Sequence, residues 1–93
     1  MSNFEPFEVI IGGSEEMATE YLIQQRRRGF RYPANSYRIV TEREQLRDIN
    51  VPNSVIVLLP GHHDNYAFNS AEYELLVTRA ARLKLARKFV HKL

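Results

Sequence analysis

Residues 55–61 read Val-Ile-Val-Leu-Leu-Pro-Gly. An apolar run with no polar alternation, closed by a Pro-Gly turn signal, is the pattern of a strand covered on both faces. Such strands belong to parallel sheets whose crossover helices pack above and below. Two weaker runs precede it, Phe-Glu-Val-Ile-Ile at 7–11 and Tyr-Arg-Ile-Val at 37–40. Helical patterns lie between and after the three runs, and this β-α-β-α-β-α order implies a parallel α/β sheet. Right-handed crossovers give the strand order 2-1-3 and place helices on both faces. The expected fold is therefore α/β: a single small three-layer sandwich with a three-stranded parallel sheet and a long C-terminal helix.

The helices have readable ends. Ser14 is a good N-cap, Glu15 and Glu16 suit the positive end of a helix, and Met17, Ala18, Tyr21 and Leu22 recur at helical spacing. Gly29 followed by Phe30 marks that helix's end. Thr41-Glu42-Arg43-Glu44 reads as a capping box opening a short helix with Leu46 and Ile49 on its apolar edge. The last helix is expected from about Ser70 to the C-terminus, with Tyr73, Leu76, Val77, Ala80, Leu83 and Val90 on one face. A second face would carry Leu75, Leu85, Ala86, Phe89 and Leu93. Such a helix is about 35 Å long, against a sheet about 17 Å deep along its strands. Residues 84–93 are expected to overhang the body.

Ninety-three residues, 44% hydrophobic and 26% charged, fit one domain with a modest core. Residues 1–93 are read as one α/β domain. No cysteine is present, which excludes disulfides and thiolate metal sites. The start, MSNFEPFEV, has acids where a signal peptide needs cations. No stretch nears the roughly 18 apolar residues of a membrane span, so no membrane association is expected and the cytoplasm is the expected location.

Charge is divided unevenly. Residues 75–93 hold six Lys/Arg (Arg79, Arg82, Lys84, Arg87, Lys88, Lys92) and no acid, while residues 1–74 hold seven Lys/Arg against eleven acids, a balance of −4. A basic, apolar-interleaved segment at one end of a weakly acidic body points to a binding surface. Its candidate contact residues are Arg79, Arg82, Lys84, Arg87, Lys88, Phe89 and Lys92. The apolar second face of Leu75, Leu85, Ala86, Phe89 and Leu93 favours a protein partner or a homodimer. Nucleic acid is the alternative, with Arg26, Arg27 and Arg28 adding phosphate contacts, although those three also suit the negative end of their helix.

Chemistry, if any, belongs beyond the carboxyl ends of the strands. There the sequence collects Gly12, Gly13 and Ser14, then Thr41 and Glu42, then His62, His63 and Asp64. The Gly-Gly-Ser turn lacks a dinucleotide or P-loop spacing, and Glu15 and Glu16 would repel a phosphate. Adjacent histidines in extended chain point to opposite sides, so a shared metal ion is not expected, and no nucleophile motif accompanies them. No catalytic residue, metal or cofactor is assigned. A nucleotide- or metal-dependent enzyme stands behind the two binding readings.

The strand-turn pattern, the Thr-x-x-Glu-Gln-Leu-Arg run within 37–49 and the buried strand with its turn at 55–61 resemble small Rossmann-like proteins encoded by actinobacterial phages. The resemblance spans roughly a quarter of the chain. It implies a protein of a group mostly without assigned function, several kinds of which act by binding a host protein in the host cytoplasm. It implies no catalytic residues.

Overall fold

The structure, a computed structural model, describes residues 7–92, with Ala80 and Ala81 described by their backbone only. The elements run β1 (Glu8–Ile11), α1 (Glu15–Arg27), β2 (Tyr37–Ile39), a 3₁₀ turn (Arg43–Leu46), β3 (Val55–Leu58), a second 3₁₀ turn (His62–Asp64), α2 (Ala71–Thr78), a single helical turn α3 (Ala80–Leu83) and β4 (Ala86–Phe89). All described pairings are parallel and the order is β2-β1-β3-β4. The expected 2-1-3 arrangement is present within a sheet of four strands.

The sheet's two faces follow from the period of two along each strand. Val9, Ile11, Ile56 and Leu58 turn to one side and pack with Leu46 of the 3₁₀ turn, Ile49 of the loop after it, and Tyr73, Leu76 and Leu83 of α2 and α3. Ile10, Val57 and Leu59 turn to the other and meet Ala18, Tyr21 and Leu22 of α1. The register sets Ile10 beside Val57 and Ile11 beside Leu58. Full burial of such side chains stabilises by about 1.5–3 kcal/mol each, so this central pair of strands anchors the fold.

Local signals explain the helix ends. Ser14 Oγ accepts from the Met17 amide at 3.3 Å. Gly29 adopts φ +97°, with its amide donating to Arg26 O and the Phe30 amide to Gln25 O, which is the Schellman arrangement. The short helix after β2 differs from expectation. It is 3₁₀ and its cap is Glu42, one residue later than Thr41. Gln45 Oε1 accepts from the amides of both Thr41 and Glu42, at 2.7 and 2.9 Å. A glutamine that serves two amides displaces the Thr41–Glu44 box.

The largest correction concerns the C-terminal segment. A helix does start at Ser70, whose Oγ accepts from Tyr73 N at 3.2 Å, and Tyr73 and Leu76 are buried as expected. It ends at Thr78, where the Arg79 amide turns back onto Leu75, Leu76 and Val77 carbonyls. After α3, Lys84 takes φ +54° and the chain returns as β4. There is thus no overhanging basic helix and no second apolar helix face: Leu75 stays on α2 and is 60% exposed, Leu85 packs on the core, and Ala86 and Phe89 lie in a strand. Leu93 and the Ala80 side chain lie outside the described residues. Helix propensity favours residues 79–88 as helix, but β3 would then keep a free row of amides and carbonyls beside its apolar side chains. Pairing with β4 satisfies that row, and tertiary hydrogen bonding outweighs local preference.

Candidate functional site

At the strand ends, three loops are drawn together. Gly13 lies against Gly61: a Cβ at Gly13 would stand 3.1 Å from Gly61 O. Buried Asn65 ties the same region, its Nδ2 donating to Gly12 O at 2.7 Å and to Val40 O at 3.0 Å, while its Oδ1 accepts from Ala67 N at 2.8 Å. The first and third strand-end loops therefore touch backbone to backbone. Ser14 is occupied as an N-cap, and Glu15 and Glu16 stand exposed beside it.

His62 and His63 depart from the extended-chain expectation. They sit in a 3₁₀ turn and their rings stack with centroids 4.0 Å apart. His62 is buried, with Nδ1 2.8 Å from Leu59 O, and Phe68 meets it edge-on at 4.8 Å. Asp64 is exposed. Among the described residues, no three His, Cys, Asp or Glu side chains gather as a metal-binding group. The arrangement of His62 is that of an aromatic packing residue with one nitrogen committed to a carbonyl.

The basic residues divide over three places. Arg79 is half-buried, lining a hollow of about 440 Å³ with Leu46, Arg47, Glu72 and Leu75. At its mouth Arg47 Nη2 meets Glu72 Oε2 at 2.9 Å. The hydrogen bond, then the Glu72 charge, raises the Arg47 pKa, and the same bond, then a backbone hydrogen bond to the carboxylate, lowers that of Glu72. Arg82 and Lys84 stand exposed at the turn before β4. All four residues of β4 are exposed. Its register places Arg87 beside Ile56 and Phe89 beside Leu58, on the α2 side of the sheet. Lys88 lies beside Val57, on the α1 side.

On that α1 side a groove of about 180 Å³ runs between α1 and β4, lined by Tyr21, Gln24, Gln25, Arg28, Lys88, Phe89, Val90 and Lys92. Lys88 Nζ is 3.5 Å from Tyr21 Oη. Burial first, then the bond with Tyr32 and the nearby Glu8 carboxylate, push the Tyr21 phenol well above its usual range, so it stays neutral. Three cations from distant stretches of the chain, Arg28, Lys88 and Lys92, thus share one groove whose lining holds no acid. The three consecutive arginines do not act together. Arg26 donates to Tyr32 O at 3.0 Å and lies 6.0 Å from the Tyr37 ring centroid, whereas Arg28 faces the groove. Convergence of Arg28 with Lys88 and Lys92 is not legible in the sequence, where helical spacing puts the latter two on an overhanging helix.

Among the described residues no helix is long and apolar enough to cross a membrane. No protein-family model, no curated protein and no solved structure matches the chain.

Proposed function

We propose that this chain is a non-enzymatic interaction protein that binds a protein partner through its basic C-terminal segment, which lies in β4 and the turn before it. The observation that carries this reading is an end strand exposed at every residue, with Arg87 on one face and Lys88 on the other. The finer fold reading, a Rossmann-like three-layer domain, and the origin and location, a phage protein acting in the host cytoplasm, are supported by the resemblance carried by residues 37–49 and 55–61. The strand-end loops give an enzyme less support, because the Gly12-Gly13 turn backs onto Gly61 and His62 is committed to packing.

Nucleic acid is the second reading, and the groove shared by Arg28, Lys88 and Lys92 favours it. Phosphate contacts of this kind weaken steeply with salt. One experiment separates the two. Tagged protein is used to capture partners from host lysate with and without nuclease, alongside a Lys84→Glu/Arg87→Glu/Lys92→Glu variant shown to melt as the parent does. A protein retained after nuclease and lost with the variant is the expected result. Recovery of nuclease-sensitive material alone would transfer the assignment to nucleic acid. An empty eluate from the parent protein would end the protein-partner reading.

A further inference from the structure

The free side of β4 has a defined hydrogen-bonding pattern. Ala86 N donates to Ser54 O at 3.1 Å and Val90 N donates to Leu58 O at 2.9 Å. Inward and outward residues alternate along a parallel strand, so Lys88 also turns toward β3. Arg87 and Phe89 then direct their N–H and C=O groups away from the sheet. Among the described residues β4 has no second neighbour. It also contains no proline or glycine bulge of the kind that blunts an edge.

The flanking side chains define what such an edge would accept. On the α1 side stand Lys88, Arg28 and Lys92. On the other side stand Arg87 and Phe89, the phenylalanine 54% exposed with its ring 6.0 Å from that of His62. We infer that β4 is a strand-addition site for an extended partner segment in which acidic and apolar residues alternate. Its backbone would pair with Arg87 and Phe89, its acids would face the three-cation groove, and its apolar residues would lie beside Phe89. Main-chain pairing supplies affinity in this mode and the alternate side chains supply selectivity. A second copy of this chain fits less well, because pairing two β4 edges brings Arg87 and Lys88 close to their own counterparts, and like charges opposed across strands are destabilising.

This inference rests on the protein-partner reading and adds to it the mode of recognition and the chemistry of the partner. The test uses the full chain and a fluorescein-labelled Thr-Glu-Val-Glu-Val-Glu-Thr peptide, with a Lys-for-Glu peptide as control. Binding is read by anisotropy and by amide hydrogen exchange at Arg87 and Phe89. Arg87→Ala removes the charge and keeps the outward N–H; Arg87→Pro removes both. Proline at an outward edge position leaves the β3 ladder intact. The expected result is binding of the acidic peptide alone and slowed exchange at both amides. Arg87→Ala should weaken binding by about fivefold at most, and Arg87→Pro by about tenfold more than that. No binding of the acidic peptide, binding without slowed exchange, or equal losses in the two variants would each overturn strand addition. So would a self-associated parent protein that Arg87→Pro renders monomeric, since a second copy would then hold the edge. Should Arg87→Pro fail to fold, the exchange data on the parent chain decide. Charge-dependent capture of a protein from lysate without slowed exchange in the peptide complex leaves the partner reading standing and removes only the mode proposed here.

Discussion

Asn65 joins loops that lie far apart in the chain: its side chain holds Gly12 O, Val40 O and Ala67 N at once. Asn65→Ala leaves these groups without their present partners where water has little access, and each such loss costs about 1–3 kcal/mol. Urea unfolding should therefore show a loss of at least about 2 kcal/mol; an unchanged midpoint would mean that the three groups are satisfied otherwise. Gly13 is limited by contact and Gly29 by conformation. A methyl at Gly13 meets Gly61 O at 3.1 Å, so Gly13→Ala must push the two loops away from each other, at about 1–3 kcal/mol. At Gly29 a methyl meets nothing within 4 Å, but φ is +97°, and Gly29→Ala costs about 1–2 kcal/mol through strain alone. Thermal melts of the two variants should thus both fall, with a shift of the His62 and His63 ring resonances only for Gly13→Ala. Of these roles the sequence disclosed the Ser14 cap and the Gly29 terminator, because their partners lie within a few residues. Asn65 was not legible: nothing near position 65 announces Gly12 and Val40.

At the scale of elements, the return of residues 86–89 as a strand depends on the turn at Lys84. Its φ of +54° is a conformation that a β-branched residue resists. Lys84→Val is expected to cost about 1–2 kcal/mol, while Lys84→Gly holds or raises stability. In a continuous helix the order would reverse, since glycine is then the poorer residue, so equilibrium unfolding of the pair tests the strand directly. A second contact between elements joins the first 3₁₀ turn to α2, through Arg47 and Glu72. Arg47 lowers the Glu72 pKa in the folded state. The folded form therefore binds that proton less readily than the unfolded chain. The pair's stabilisation is present above the unfolded carboxyl pKa and is lost as pH falls through the lowered folded value. Glu72→Gln should flatten this stretch of the acid limb of stability against pH, and high salt should flatten it too, since the Arg47 side of the pair is exposed to solvent. An acid limb identical in both proteins would show that the contact carries no linkage.

For the whole molecule, β4 completes the sheet and, among the described residues, forms one of its two edges. Ending the chain after Lys84 should uncover the row of β3 groups now paired to β4, beside the apolar run Val55–Leu58. Size-exclusion chromatography is expected to show self-association of the shortened chain, with a lower and broader melt; a monomer that melts as the full chain does would place β4 outside the cooperative unit. The parallel α/β character, the 2-1-3 core, and the Ser14, Gly29 and Ser70 signals were all determined by the sequence itself. They rest on hydrophobic period and on capping, which act over a few residues. Whether residues 79–89 continue as helix or return as a strand was decided only by the tertiary structure. Their intrinsic preference is helical, and the opposing term is the row of β3 hydrogen-bonding groups some thirty residues earlier in the chain. The same distance hid the groove of Arg28, Lys88 and Lys92, which exists only because β4 lies beside α1.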